Sequence, residues 1–373
     1  MASLNNMPSA DSATMASHQW AKRPNDERFL SMSELKAAVH GRRQDSFTTI
    51  SAPQQMRISA SEGELSIDTF DVTAGSTRRL QPSHWAFGQL SGYAQAPASY
   101  LRKLPAELAA INLQWGLEHN PVRDQTLVLG QQYGLGADDM LRAMTSPRYG
   151  RIWDEEVVEA VERANSDGRW VIPSATYTED RPRRATTLYA SDRDVFIFLV
   201  DDKNAIDVGG EQLYRGFYTW NSEVGSTVFG LTTFLYRYIC DNRIIWGMSD
   251  VKELRIRHTG GAPDRFAYEG QQYLRRYAEE SSRDVEASIK AAQAFEVPNA
   301  DKAGSGWERW LIEKGFSQSQ AKGAVQYAQA EEGEARSLWD IINGITANAR
   351  SIPHTDERVK VEAAAGNLMR YAR

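Results

Sequence analysis

Six consecutive apolar residues, Val195-Phe196-Ile197-Phe198-Leu199-Val200, constrain this chain more than any other stretch. A strand with one wet face alternates apolar and polar residues, so an uninterrupted run predicts a strand covered on both faces in the middle of a sheet. Neighbouring segments supply the rest of that sheet. Trp170 to Tyr177, Thr186 to Tyr189 and Leu213 to Trp220 are rich in aromatic and β-branched residues and read as strands, with Ser191-Asp192-Arg193-Asp194 as a turn. Ile244 to Trp246 and Glu253 to His258 read as further strands, and in the second Leu254 and Ile256 oppose Glu253, Arg255 and Arg257. Between them, Leu231, Phe234, Leu235, Tyr238 and Ile239 fall on one helical stripe. A helix from Thr227 to Cys240 is therefore expected, with Asn242 ending it.

Before this core, residues 1–45 are rich in Ser, Asn, Asp and Ala and read as a mobile tail with one helical piece, Ser31 to His40. Alternation in Met56-Arg57-Ile58-Ser59 and Leu65-Ser66-Ile67-Asp68 makes 46–82 a small β segment. From Ser83 short helices broken at Pro97 and Pro105 are expected, then a strand at Thr126 to Leu129 and an amphipathic helix from Trp153 to Asn165. The core unit is 83–261. After Gly260-Gly261-Ala262-Pro263 the pattern is helical, with one long helix over Tyr268 to Gln293 and a compact Trp- and Ile-rich set to the end, making 262–373 a helical C-terminal region. The fold class is α+β, a central antiparallel sheet packed by helices.

Composition narrows the function. The 373 residues carry 43 Lys and Arg against 49 Asp and Glu, a net charge of −6, which counts against a generic nucleic-acid binder. Any basic patch must arise from sorting side chains onto faces. No apolar run nears the roughly 18 residues needed to cross a bilayer, and the polar start does not read as a secretory signal. With a single cysteine, Cys240, no intrachain disulfide can form. A cytoplasmic protein without a membrane partner is expected.

The segment from Leu188 to His258 holds the candidate site residues. Arg215, Arg237, Arg255 and Arg257, with Trp220, Asn221, Ser222 and Glu223, form either a satisfied internal network or a working surface, because arginines are not buried without partners. At the predicted helix start, Gly225, Ser226 and Thr227 would offer N–H groups to a phosphate. Alternatively Ser226 caps the helix and Glu223 pairs with Arg215 or Arg237. No phosphate-loop motif is present, and the six histidines lack zinc spacing, so no cofactor or metal is expected. Asp201, Asp202 and Asp207 could serve a magnesium enzyme or form an ordinary turn, and Cys240 reads as a buried structural thiol.

Several segments carry a resemblance: AMTSPRYGRIWDEEVV at Ala143 to Val158, LYASDRDVFIFLVD at Leu188 to Asp201, LYRGFYTWNSEVG at Leu213 to Gly225, LYRYICDNRIIWG at Leu235 to Gly247 and LRIRH at Leu254 to His258. The chain resembles the phage- and plasmid-like "domain of unknown function 932" family over roughly Trp85 to Gly261. SLWDIINGITANARSIPHTDERVKVEAAAGNL, from Ser337 to Leu368, is similar to the helical tail of some members. The resemblance implies a protein of phages, prophages or plasmids and no established reaction. Joined to the arginines and aromatics, it leads to the expectation of a non-catalytic, annealing-like protein. Such a protein would bind single-stranded nucleic acid through Arg215, Trp220, Asn221, Arg237, Arg255 and Arg257 and could assemble as a homo-oligomer. The competing expectations are a metal-dependent enzyme acting on nucleic acid, using Glu223, Asp201 and His258, and a structural or host-interaction protein assembling through its helical tail.

Overall fold

The computed structural model describes residues 25–120, 125–132, 138–173, 186–201, 203–208, 211–237, 243–245, 253–279, 283–297, 305–349, 361 and 364–372. Cys240, Trp246 and Asp202 lie outside them, as does most of the strand expected to follow Trp170.

Residues 25–44, inside the stretch expected to be a mobile tail, carry regular structure. A short strand, β1 (Arg28–Phe29), is followed by helix α1 (Met32–Gln44). Ser31 starts the helix by accepting the Glu34 N–H at 3.2 Å, and Leu35 and Val39 form its buried stripe.

The small β segment supplies four of the six strands of a larger sheet. Strands β2 (Ser46–Ser51), β3 (Arg57–Ser61), β4 (Glu64–Asp71) and β5 (Ser76–Pro82) join β6 (Thr126–Gln131) and β7 (Asp139–Thr145) in the order β2-β6-β7-β5-β4-β3. Helices α2 (His84–Tyr93) and α3 (Ala106–His119) connect β5 to β6, and Phe87, Leu90, Leu113 and Leu117 pack on Ile67, Leu80, Val128 and Leu141. Helix α4 (Asp154–Ala164) then leads toward the second sheet.

That second sheet is antiparallel throughout, with strands β8 (Leu188–Ala190), β9 (Val195–Val200), β10 (Ile206–Val208), β11 (Glu211–Asn221), β12 (Phe229–Arg237), β13 (Arg243–Ile245) and β14 (Glu253–Ile256). Its order is β1-β8-β9-β11-β12-β13, with β10 on the start of β11 and β14 on the start of β12. All six residues of β9 are buried. One face, through Val195, Ile197, Leu199, Phe217, Phe229, Leu231 and Ile256, packs against α1, α4 and residues 262–277. The other carries Tyr189, Phe196, Tyr218 and Trp220 as a continuous series of ring contacts, all buried.

The helix expected over Thr227 to Cys240 is instead strand β12, paired with β11 for eight residues from Leu213↔Arg237 to Trp220↔Gly230. Its apolar positions satisfy a helical stripe, but Thr232 and Thr233 together with Phe229 and Phe234 favour a pleated surface, and the long partner strand decides between the two. A side chain at residue 230 would come within 2.0 Å of the Trp220 ring, so glycine there lets the indole lie across the sheet.

Beyond residue 261 the stretch expected as one long helix is helical wherever it is described. A π-turn at Phe266–Gly270 precedes α5 (Gln271–Glu279) and α6 (Arg283–Ala294). Helices α7 (Ser305–Glu313), α8 (Gln318–Glu332) and α9 (Leu338–Ala349) bury Trp307, Leu311, Trp339, Ile342 and Ile345 against Ile206 and Leu213. The C-terminal tryptophans and isoleucines are thus core, continuous with the edge of the second sheet.

Candidate functional site

Where β11 ends, the loop Asn221–Gly225 turns back into β12 at the junction between the two sheets. Gly225 makes the turn in the left-handed region, at φ 83°. Ser222 Oγ holds it closed, accepting the N–H groups of Val224 (3.2 Å) and Ser226 (3.0 Å) and donating to the Arg193 carbonyl (2.6 Å). No helix starts here, so the expected phosphate cradle of helix N–H groups is replaced by a tight turn between strands.

Glu223, 2% exposed, is the centre of a buried charge network. Arg142 of β7, 1% exposed, donates from Nη2 to Glu223 Oε2 at 2.7 Å and from Nη1 to Ser46 Oγ at 3.2 Å. The Asp154 N–H, at the start of α4, donates to Glu223 Oε1 at 2.9 Å, and Arg151 Nε to the Glu223 carbonyl at 2.8 Å. Asn221 Nδ2 donates to the Ile152 carbonyl and to Asp154 Oδ1, both at 2.8 Å, while Arg42 of α1 lies 4.0 Å from Asp154 Oδ2. The loop is thus bonded directly to β7 and to residues 151–154, and through Arg142 and Asp154 to β2 and α1.

The charges sort themselves by environment. Burial pushes Glu223 toward protonation, but Arg142 and Arg42 outweigh it and hold the carboxyl below its ordinary range. Burial, and then the Glu223 charge, push Asp154 well above the carboxylate range. Burial lowers Arg151 to about 10, leaving it charged at neutral pH. His258, stacked on Tyr149 at 4.9 Å with Nδ1 3.1 Å from the Gly150 carbonyl, is pushed down to about 4, chiefly by burial. It is neutral at pH 7, with Nδ1 carrying the proton that reaches Gly150.

The predicted site residues do not converge. Trp220, 1% exposed, and Asn221 are buried, so neither presents a face to a base. Arg215 is buried farther back along β11, donating to the Tyr277 carbonyl with its guanidinium 4.3 Å above the Tyr277 ring. Arg237 stands on β12 opposite Leu213 and Arg243. Arg255 and Arg257 are exposed. Of the two readings open in the sequence, Asn221 belongs to the internal network around Glu223, Arg215 and Trp220 are buried outside it, and Glu223 pairs with Arg142.

Nor do the catalytic candidates meet. Asp201 is buried beside Arg169 and Asn204, at the far end of the six-residue β9 from the Glu223 loop, about 20 Å away at strand rise. Asp207 is exposed on β10. Among the described residues, no three of His, Cys, Asp and Glu are placed to share a metal ion.

The junction also builds an outer surface, which the sequence did not mark. Its series of contacts starts at Arg257 and Arg148, exposed on adjacent segments tied by the Gly150 N–H to the His258 carbonyl (3.2 Å). It continues through Tyr149, whose hydroxyl donates to the Ser222 carbonyl at 2.8 Å and whose ring lies 3.7 Å from where a Gly225 side chain would project. Next come Ser226 and Arg193. The Arg193 guanidinium lies 5.6 Å from the Trp85 ring and 3.0 Å from His84 Nδ1, and Arg102 donates to the His84 carbonyl at 2.8 Å. Trp85 and Trp153 flank Val224, and Arg43 lies 3.8 Å over Trp153. Among the described residues, Arg102, Arg148 and Arg257 make no ion pair. One signal was available: Ala143 to Val158 supplies Arg148, Tyr149, Arg151, Trp153 and Asp154 together.

The family model for "Domain of unknown function (DUF932)" matches residues 143–365, more than half of the chain. This protein belongs to the DUF932 family. The match starts within β7 and takes in the junction loop, most of the second sheet and the C-terminal helices, including most of the tail segment Ser337 to Leu368, but not the stretch from Trp85 to Arg142 over which the resemblance was also read. Most of the N-terminal sheet, including Ser46 and Arg142 of the network, precedes the DUF932 match. No curated protein and no solved structure matches the chain.

Proposed function

We propose that this DUF932 protein binds single-stranded nucleic acid without acting on it chemically, as part of phage or plasmid DNA metabolism. The strand would follow the junction surface, with phosphates on Arg148, Arg257, Arg193 and Arg102 and bases against Tyr149 and the accessible edge of Trp85. The observation that carries this reading is the run of exposed or half-exposed guanidiniums beside aromatic rings on a chain whose net charge is negative. Such sorting gives a local attractive field that total charge conceals. Arg255 extends the surface beyond Arg257, whereas Trp220 and Asn221 lie buried beneath it and Arg215 is not part of it. Assembly as a homo-oligomer would align several such surfaces along one strand.

Anisotropy of a fluorescein-labelled oligothymidylate tests the reading. If three or four phosphates are neutralised per protomer, log K falls against log salt with a slope of roughly −2 to −3, from about 0.7 per phosphate for single strands. Arg148→Glu combined with Arg257→Glu is expected to weaken binding at least tenfold and flatten the slope. Folded wild-type protein that fails to bind at about 50 mM salt would overturn the proposal.

A further inference from the structure

At the opposite edge of the N-terminal sheet, β3 is an outermost strand, and α3 runs beside it. Between them lies an open groove of about 450 Å³ lined by Ile58, Ala60, Glu107, Ile111, Trp115 and Glu118. Two features of this groove call for an occupant.

The first is the strand edge. Ile58 pairs with Ile67 of β4, yet its N–H donates at 2.7 Å to Gln114 Oε1 of α3, so this is a non-hydrogen-bonded pair whose backbone groups point away from the sheet. Ala60, two residues on, has the same orientation. Gln114 occupies one outward donor. The Ile58 carbonyl and both backbone groups of Ala60 make no further hydrogen bond among the described residues. The second feature is the helix face. Leu108, Ile111 and Trp115 recur at i, i+3 and i+7, and Ile111 is 63% and Trp115 60% exposed.

We infer that the groove between β3 and α3 is a docking site for an extended, basic peptide segment of a partner protein, which adds to the sheet beyond β3. Outward N–H and C=O groups at two-residue spacing are met by another extended backbone, whereas a helix satisfies its own. Alternate side chains of such a strand would fall on Ile111 and Trp115. Glu107 and Glu118, exposed on the helix side, favour lysine or arginine at the flanking positions, the one at Glu118 taking the place of the exposed Arg57 that lies 3.9 Å from it. The five residues of β3 span about 17 Å, enough for a strand of five or six residues. Gln114, already bonded to the edge, acts as a placeholder that the incoming backbone displaces.

The probe is a fluorescein-labelled acetyl heptapeptide amide of alternating lysine and valine, titrated by anisotropy at moderate salt. Saturable binding to the wild-type chain is expected, at least tenfold weaker for the same peptide N-methylated at every residue, which keeps its charge but cannot form a strand. Ile111→Ser with Trp115→Ala, both on exposed side chains, should weaken binding at least tenfold without changing the melting temperature. Ala60→Pro, which removes an outward N–H on an edge, should do the same. Equal binding of the N-methylated peptide, or undiminished binding by the Ile111 and Trp115 variant, would overturn the inference, as would no binding up to about 1 mM peptide. Sedimentation analysis supplies the last arm. A dimer of the wild-type chain that Ala60→Pro dissolves would assign the groove to a second copy and reject a partner peptide.

Discussion

Removing the Glu223 carboxylate tests the claim that one buried ion pair ties the two sheets together. Arg142 lies on β7 of the first sheet and Glu223 follows β11 of the second, and both are almost fully buried. In Glu223→Ala, Arg142 keeps its charge without a counter-ion, a change that typically costs about 3 to 5 kcal/mol. The Asp154 N–H also loses its acceptor, so the upper part of that range is expected. In Glu223→Gln the amide oxygen still accepts the Asp154 N–H, sparing about 1 kcal/mol. Asp154 supplies a second relief, because the Glu223 charge contributes to holding its pKa up. With that charge gone, Asp154 ionises more readily and partly balances Arg42 and Arg142. Glu223→Gln should therefore lose about 3 kcal/mol or less. Replacing both partners, Arg142→Met with Glu223→Leu, should restore part of the loss, since no uncompensated charge is then buried. The assay is urea unfolding at pH 7 followed by tryptophan emission, which reports both sheets through Trp85 and Trp220. Weakened coupling should split a shared transition in the Ala variant. A Glu223→Ala change below about 1 kcal/mol, or a double variant less stable than both single ones, would refute the reasoning.

Asp154→Asn should be near neutral at pH 7, within about 1 kcal/mol, because Asp154 has a raised pKa in the fold and the amide oxygen still accepts from Asn221. A raised folded pKa contributes stability that is complete below the unfolded value and lost as pH rises, so this variant should lose less stability than wild type between about pH 4 and 7 in urea melts. His258 has the opposite sign. Its folded pKa of about 4 lies below the ordinary 6.5, so stability is complete above pH 6.5 and falls as pH drops toward 4, by up to about 3 kcal/mol. His258→Gln should flatten that limb of the stability profile. Phe198→Ala, in the middle of the second sheet, should cost about 3 to 5 kcal/mol by denaturant unfolding, whereas Arg257→Ala should stay within about 0.5. Equal, large losses at both would place Arg257 in the core and remove it from the proposed binding surface.

The sequence by itself determined what depends on near neighbours. The run Val195 to Val200 required a buried strand because it offers no polar face, and the valine stripe of residues 157–161 required a helix, although Asp154 at its start is buried and not outward as the pattern suggests. Both are satisfied within one element plus generic burial. The Trp- and Ile-rich C-terminal helices were legible for the same reason. Phe229 to Arg237 was not, since its pattern fits either period and the choice came from eight paired residues of β11. The small β segment of 46–82 likewise gave no sign that β6 and β7, more than forty residues later, would complete its sheet.

Only the tertiary structure decided the site. Arginines, aromatics and Glu223 in one polar signature do not reveal which of them face inward, and burial withdrew Trp220, Asn221 and Arg215 from the surface. The partner of Glu223 is Arg142, 81 residues earlier, and its amide donor, Asp154, lies 69 residues earlier. No local rule specifies such pairings, because the energy of a buried charge depends on whatever the fold brings within about 3 Å of it. The sequence carried the chemical groups, and packing the two sheets against each other decided which became internal struts and which remained open to a ligand.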